Sequence, residues 1–178
     1  MTNLYIDPAY SKPMAWAMYD RGELQSWGTF ADHDDMHIKI EEADAVYCED
    51  QAPGKPWESI KKLIRATGWV EACALELRVP FYLVNNRTWK AHFGLARKML
   101  KSEEWAIKCD RVNDKLDDDL WRPLRKDEDI VDAILMGEYV EWTLFRAGLE
   151  SEDLPRKGIV ASDAASMFRK PGLNSTTL

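Results

Sequence analysis

The sequence predicts an α/β fold: a mixed five-stranded sheet whose first three strands are antiparallel, with helices flanking the sheet. Three observations lead to this prediction. Short β-branched and aromatic runs, separated by turn residues, fill the first 30 residues and indicate strands joined as hairpins. Strand-type runs then alternate with helical periodicity up to residue 101, which indicates strands joined by helices. The last strong pattern, over residues 126–147, is that of an amphipathic helix.

The predicted strands are short runs bounded by turn or polar residues. The first ends at Asp7, before a proline, and the fourth ends at Glu49. A turn at residues 20–22 separates the second strand from the third. We expect the five strands over residues 4–6, 14–19, 23–30, 45–48 and 81–84.

The helices are predicted from apolar residues that recur every three or four positions. Pro80 ends the first long helix, because proline cannot continue a helical hydrogen-bond pattern. We expect helices over residues 57–78, 88–101, 103–119 and 126–147, and either a short helix or an irregular crossover over residues 32–43.

Length and composition are those of a soluble globular domain. The chain has 178 residues, of which 46% are hydrophobic and 31% charged, and it has no apolar run long enough to span a membrane. We expect one folded domain over residues 1–150 and a basic, polar tail over residues 151–178. The N-terminus does not resemble a secretion signal, and the three cysteines share no CxxC spacing, so we expect a reducing, cytoplasmic location.

Charge is distributed unevenly along the chain, whose net charge is −7. Residues 51–101 carry 10 basic and 3 acidic side chains, whereas residues 1–50 and 102–154 are strongly acidic. A cationic middle between anionic segments favours a protein that binds a polyanion together with divalent metal ions. A dipolar surface without such a partner is the alternative interpretation.

The basic residues of this middle segment follow the fourth and fifth predicted strands. Sites in open sheets collect at strand ends, so these side chains are candidates for contacts with DNA phosphates. The DNA-binding candidates are Lys55, Lys61, Lys62, Arg65, Arg87, Lys90, Arg97, Lys98 and Lys101. Trp89 lies among them, and we expect it to pack in the core and not to stack on a base.

Four carboxylates directly adjoin apolar runs on separate elements. Asp7 ends the first strand and Glu49 ends the fourth. Asp129 and Asp132 are three residues apart, which places both on one face of the last helix. Carboxylate oxygens suit Mg²⁺, and paired divalent ions catalyse phosphodiester hydrolysis, so the four are candidate metal ligands and catalytic residues. The alternative is that they are ordinary turn-forming and helix-starting acids.

Taken together, these motifs resemble those of the RuvC-like Holliday junction resolvases, within the RNase H-like (retroviral-integrase) superfamily. The matching segments are residues 6–8 (IDP), 46–49 (VYCE) and 129–133 (DIVDA), and the order of strands and helices also matches over roughly residues 3–147. The resemblance implies an RNase H-like fold, with a nuclease domain over residues 1–150. The small size and divergent motifs are more similar to those of phage-encoded relatives.

This resemblance implies a homodimeric crossover junction endodeoxyribonuclease that makes paired nicks in a four-way DNA junction, in recombination or repair. It also implies two Mg²⁺ ions per active site, for which Mn²⁺ substitutes. If these residues have the roles of their counterparts in the family, Asp7 contacts both ions, Glu49 contacts one, and Asp129 with Asp132 completes the ligand shell. Either both Asp129 and Asp132 bind metal, or only Asp132 does.

A further motif of the family, a Gly-X-Ala-X-Lys spacing before a helix, is similar to residues 94–98. The resemblance makes Lys98 a candidate catalytic residue that stabilises phosphate charge, and an exposed lysine on an amphipathic helix is the alternative. The chain departs from the family pattern at His92-Phe93, which replaces a loop glycine, and in its acidic segment 103–119. Both departures bear on substrate preference.

A substrate with two symmetric cleavage points favours a twofold-symmetric dimer. The helix predicted over residues 57–78 has apolar side chains on more than one side, including Trp57, Trp69 and Leu75, which makes it the candidate interface. Burial of these side chains by the chain itself is the alternative.

Two other functions are compatible with the same residues. The first is an RNase H-like nuclease that acts on flaps, other branched DNA or RNA–DNA hybrids. The second is a DNA-binding protein that has kept the fold without catalysis, although the presence of all four carboxylates counts against it.

Overall fold

A mixed five-stranded sheet forms the centre of the molecule in the computed structural model, which describes residues 1–50, 56–95, 99–116 and 127–148. The order across the sheet is β3-β2-β1-β4-β5, for β1 (Thr2–Asp7), β2 (Ala15–Asp20), β3 (Glu23–Thr29), β4 (Ala45–Asp50) and β5 (Phe81–Asn85). Strands β1, β2 and β3 are antiparallel neighbours, while β4 pairs parallel with β1 and with β5. The predicted fold class, with its antiparallel first three strands, is confirmed.

Five helices lie in the described ranges: α1 (His33–Glu41), α2 (Trp57–Leu77), α3 (Asn86–His92), α4 (Lys101–Asn113) and α5 (Glu128–Ala147). The crossover that the sequence left undecided is therefore a helix, α1, and its N-cap is Asp32, whose side chain accepts a hydrogen bond from the Asp35 N–H. None of the helices in these ranges has both the length and the apolar character needed to cross a membrane.

Two predicted helices are wrong in their limits. The helix predicted over residues 88–101 ends at His92, and Lys101 is the first residue of another helix. Gly94, with φ of +73°, has a left-handed conformation that an α-helix does not accommodate. The helix predicted over residues 103–119 ends at Asn113. The acidic residues 117–119 and the tail 151–178 lie outside the described residues.

Successive side chains of β1 and β4 point to opposite faces of the sheet, and the core therefore has two layers. Leu4 and Ile6 of β1 pack with residues of α1 and α2, whereas Tyr5 packs beneath α5. In β4, Cys48 belongs to the first layer and Tyr47 to the second. Because side chains two residues apart in a strand share a face, the residues after Ile6 and Cys48 project toward α5. These residues are the acids Asp7 and Glu49.

Helix α5 packs closely on the tyrosines of the sheet because it has a glycine where it crosses them. A Cβ atom on Gly137 would lie 2.5 Å from Cε2 of Tyr19 and 2.9 Å from Cδ2 of Tyr5. The Tyr19 hydroxyl donates a hydrogen bond of 2.9 Å to the Ile134 carbonyl. This close packing fixes the height of α5 above the sheet, and with it the first turns that carry Asp129 and Asp132.

Candidate active site

The four predicted acids come from the two central strands and from the start of the helix that covers them. Ile6 pairs with Cys48 across the parallel β1–β4 ladder, so Asp7 and Glu49 follow this pair side by side. Glu49 and Asp132 are only 6% and 8% exposed, and Asp7 and Asp129 are partly exposed. Carboxylates this deeply buried require nearby positive charge or hydrogen-bond donors.

Three of the predicted acids act electrostatically on the fourth, Asp7, and we call these four residues the acid cluster. Withdrawal from water raises the pKa of Asp7 well above its ordinary value, and the negative charges of Glu49, Asp132 and Asp129 raise it further. Lys90 acts in the opposite direction. Asp7 is therefore the carboxyl on which the charges of the other three acids act.

Glu49 is oriented by a tryptophan of α3. The Nε1–H group of Trp89 donates a hydrogen bond of 3.1 Å to Oε1 of Glu49. Trp89 itself is completely buried, as the sequence predicted, so its ring cannot stack on a DNA base in this arrangement. An indole N–H in a fixed ring is a rigid donor, and it restricts the rotation of the Glu49 carboxylate.

Two lysines lie against Asp132. The Nζ atom of Lys108, from α4, is 2.6 Å from Oδ1 of Asp132, and Nζ of Lys90, from α3, is 3.5 Å from Oδ2. Burial raises the pKa of Asp132, and the two lysines offset part of this rise. Burial alone would lower the pKa of Lys108, but its ion pairs with Asp132, Glu128 and Glu104 outweigh burial and raise it.

Asp129 pairs with a residue of the loop that follows β1. Its Oδ2 atom contacts Nζ of Lys12, and this hydrogen bond, opposed by some desolvation, raises the pKa of Lys12. The loop between β1 and β2 therefore begins directly after Asp7 and contacts Asp129 through Lys12.

The donor set fits a divalent metal, although the ligands are not gathered into a ready-made cage. Within the described ranges, no three His, Cys, Asp or Glu side chains stand close enough together to hold an ion. Lys12, Lys90 and Lys108 occupy positions beside the carboxylates instead. Buried carboxylate oxygens with mutual repulsion suit hard divalent cations such as Mg²⁺ and Mn²⁺, which relieve that repulsion.

The predicted DNA-binding residues are only partly covered by the described chain. Lys55, Arg97 and the predicted catalytic residue Lys98 lie outside the described residues. Lys62, Arg65, Arg87 and Lys101 are exposed, while Lys61 and Lys90 are half-buried. The Lys62 ammonium lies 6.0 Å from the ring centroid of Tyr10, so this part of α2 lies beside the loop that follows Asp7.

Sequence reasoning missed Lys108, Lys12 and the hydrogen bond from Trp89. One signal for Lys108 is present in the sequence, because it occupies the i+3 position from Trp105 and the i−4 position from Val112, within the apolar stripe of α4. A lysine in such a stripe indicates a buried charge with partners. No comparable signal marks Lys12, because a loop lysine is ordinarily exposed.

The chain is similar to known proteins in its structure, but not in its sequence. Neither a protein-family profile nor a curated protein sequence matches it. The solved structure of Thermus thermophilus RuvC matches with a TM-score of 0.56 and 18% identity, and covers 83% of this chain and 97% of RuvC. T. thermophilus RuvC in complex with a Holliday junction substrate matches with a TM-score of 0.55 and 16% identity, over 80% of this chain and 96% of that one.

The protein has the fold of RuvC. The match spans nearly the whole RuvC chain, so the sheet and its flanking helices are shared as one unit. The RuvC-like, RNase H-like fold that the sequence motifs implied is thereby confirmed. Identity as low as this establishes the RuvC fold alone.

Proposed function

We propose that this protein is a divalent-metal-dependent endonuclease that cleaves branched DNA, with four-way junctions as its preferred substrate. One observation carries this proposal: on a RuvC fold, Asp7 is surrounded by the charges of Glu49, Asp129 and Asp132. A structural protein gains nothing from such a cluster, because repulsion among buried acids destabilises the folded state.

Asp7, Glu49, Asp129 and Asp132 are the residues that would hold the metal, Mg²⁺ or Mn²⁺. When bound, such ions activate water and stabilise the oxygen that leaves the phosphate. The protein contributes the geometry. The pairing of β1 with β4 sets the spacing of Asp7 and Glu49, and Trp89 limits the rotation of Glu49.

Branched DNA is proposed as the substrate because of the exposed basic residues of this chain and because of its structural similarity to RuvC. T. thermophilus RuvC has been solved in complex with a Holliday junction substrate. In this chain, Lys62 and Arg65 of α2 and Arg87 and Lys101 beyond β5 provide exposed positive charge for the sugar–phosphate backbone. Lys98, through its place in the Gly-X-Ala-X-Lys motif, remains the proposed residue for phosphate charge close to the metal.

A homodimer forms part of the proposal. Three apolar side chains of α2 are exposed: Trp57 at 65%, Ile64 at 55% and Leu75 at 67%. Ile64 and Leu75 follow Trp57 by 7 and 18 residues, which places all three on one stripe of the helix. An exposed apolar stripe of this kind is typical of a protein interface. Two copies related by a twofold axis present two acid clusters, as two symmetric nicks require.

The test compares cleavage of a labelled four-way junction, a flap, an RNA–DNA hybrid and a linear duplex, each with Mg²⁺, Mn²⁺ or EDTA. We expect paired nicks in the junction with either metal and no cleavage in EDTA. Preferred cleavage of the flap or hybrid would support the alternative nuclease function. Junction binding without cleavage of any substrate would support a non-catalytic DNA-binding protein.

Adjacent residues of β4 provide a matched pair of variants. Glu49→Gln should retain junction binding but lose at least about a thousandfold in cleavage rate, because it removes a metal ligand. Asp50→Asn changes the next acid, which projects to the other face of the sheet, and should cleave at the wild-type rate. Equal loss in both variants would contradict the assignment of Glu49.

A further inference from the structure

Lys108 is a lysine with no solvent-exposed side-chain surface, in the middle of α4. A buried ammonium is costly unless several oxygen atoms replace its water. Its partners therefore indicate why a lysine is tolerated on the face of α4 that otherwise packs through Trp105 and Val112.

Three carboxylates surround the Lys108 ammonium. Nζ lies 3.1 Å from Oε1 of Glu104, one turn earlier in α4, and 2.9 Å from Oε1 of Glu128 at the start of α5. The shortest contact, 2.6 Å, is to Oδ1 of Asp132. Glu104 and Glu128 alone would offset the charge of the ammonium, so the contact with an acid of the proposed metal site needs a separate explanation.

The two oxygens of Asp132 have different surroundings. Oδ1 is in close contact with Lys108, whereas Oδ2 has the longer, 3.5 Å contact with the partly exposed Lys90. A carboxylate whose one oxygen is fixed by a buried cation has its plane set and presents the other oxygen in a defined direction. An ion pair of 3.4 Å between Lys115, two residues after the end of α4, and Glu138 of α5 involves none of the four acids and serves as a comparison.

We propose that Lys108 is a positioning residue of the active site: it fixes Oδ1 of Asp132, leaves Oδ2 as the single metal-binding oxygen of that residue, and adds a permanent positive charge to the acid cluster. The inference rests on the proposed function, because it assigns a role toward the metal that the four acids would bind. Glu104 and Glu128 keep the ammonium in place, so that α4 becomes part of the site although it supplies no ligand.

This role predicts opposite effects on metal affinity and on catalysis. In Lys108→Met, which keeps the length of the side chain without its charge, the affinity for Mn²⁺ should rise about tenfold, because a cation no longer repels the metal. The cleavage rate at saturating Mn²⁺ should fall by about tenfold to a hundredfold, because Asp132 is no longer fixed. Mn²⁺ binding is measured without DNA, by calorimetry or by the electron paramagnetic resonance signal of free Mn²⁺.

The matched control is Lys115→Met, which removes the comparison ion pair between Lys115 and Glu138. It should leave both the Mn²⁺ affinity and the saturating cleavage rate unchanged. Lys108→Gln, which keeps a hydrogen-bond donor without the charge, provides the measurement if Lys108→Met does not fold, and its Mn²⁺ affinity should also rise. A purely structural lysine would lower the melting temperature without raising metal affinity.

The outcomes separate this inference from the proposed function. If wild-type protein binds Mn²⁺ and the Lys108 variants bind it equally or more weakly, the role of Lys108 is wrong while the metal site stands. If wild-type protein binds no Mn²⁺, the proposed metal site fails and the inference fails with it.

Discussion

The Asp7 carboxyl is held under conditions that oppose its ionisation. Its pKa is raised above the ordinary value by withdrawal from water and by three neighbouring acids. An acid with a higher pKa in the folded than in the unfolded chain binds more protons when folded, so stability falls as pH rises from about 3.9, the ordinary Asp value, through the raised pKa.

Asp7→Asn should therefore stabilise the metal-free protein. In EDTA near neutral pH, we expect its melting temperature to exceed that of wild-type protein by several degrees, because the amide carries no charge to bury. The difference should shrink as the pH is lowered toward the ordinary Asp pKa, since wild-type Asp7 then takes up its proton. Scanning calorimetry across this pH range gives the measurement, and a difference that does not vary with pH would contradict the explanation.

Trp89 provides a second prediction for a single residue. Trp89→Phe removes the N–H donor to Glu49 but keeps an aromatic ring in the core, so Mn²⁺ affinity or cleavage should fall by about tenfold or more. Trp142→Phe is the control, because Trp142 is 43% exposed and lies near the C-terminal end of α5, whereas Asp129 and Asp132 lie near its N-terminal end. Similar Mn²⁺ titrations and cleavage rates for wild-type protein and Trp89→Phe would mean that the hydrogen bond does not orient Glu49.

Single residues also show how far the sequence alone predicts the site. Each of the candidate ligands Asp7, Glu49, Asp129 and Asp132 adjoins an apolar run in the sequence, and in the structure the charges of the other three act on Asp7. The contacts of Lys108 and Trp89 depend on the packing of α4 and α3 against the sheet and α5, which no local pattern encodes. Sequence motifs therefore identify candidate ligands, but the residues that orient them emerge from tertiary packing.

Helix α5 is the element that joins the sheet to half of the acids. Gly137→Ala would place a methyl group against Tyr19 and Tyr5, and we expect it to destabilise the protein by about 1 to 3 kcal/mol. The cleavage rate should fall too, because a displaced α5 carries Asp129 and Asp132 with it.

Thermal unfolding of Gly137→Ala is best compared with that of Gly68→Ala in α2. A Cβ atom at Gly68 would meet no atom within 4 Å, so this variant should be as stable as wild-type protein or slightly more stable. Equal effects of the two substitutions would contradict the account of close packing between α5 and the tyrosines.

Among the elements, strands were predicted better than helix limits. All five strands lie close to the predicted ranges, because short β-branched, aromatic and apolar runs bounded by turn or polar residues leave a direct pattern in the sequence. The single helix predicted over residues 88–101 is wrong because its apolar spacing continues across Gly94, whose positive φ ends the helical path. Periodicity records which side chains are buried and does not record a change in chain direction between two buried residues.

The stripe on α2 leads to a prediction for the whole molecule. Ile64→Glu places a charge in the proposed dimer interface, and light scattering should show a monomer with an unchanged circular dichroism spectrum. Ile38→Glu is the control, because Ile38 is similarly exposed, at 52% against 55% for Ile64, but lies on α1. A dimer that persists in Ile64→Glu would exclude this stripe as the interface.

The parallel pairing of β1 with β4 has a further consequence for the molecule. The separation between the Asp7 and Glu49 backbones is set by main-chain hydrogen bonds, which nearly every amino acid can make, and a slip of one position would turn one carboxylate into the opposite layer. Replacing the neighbouring side chains with others of suitable size leaves that separation intact. We therefore expect the distance between these two acids to stay the same when the surrounding sequence diverges, because the backbone and not the neighbouring side chains determines it.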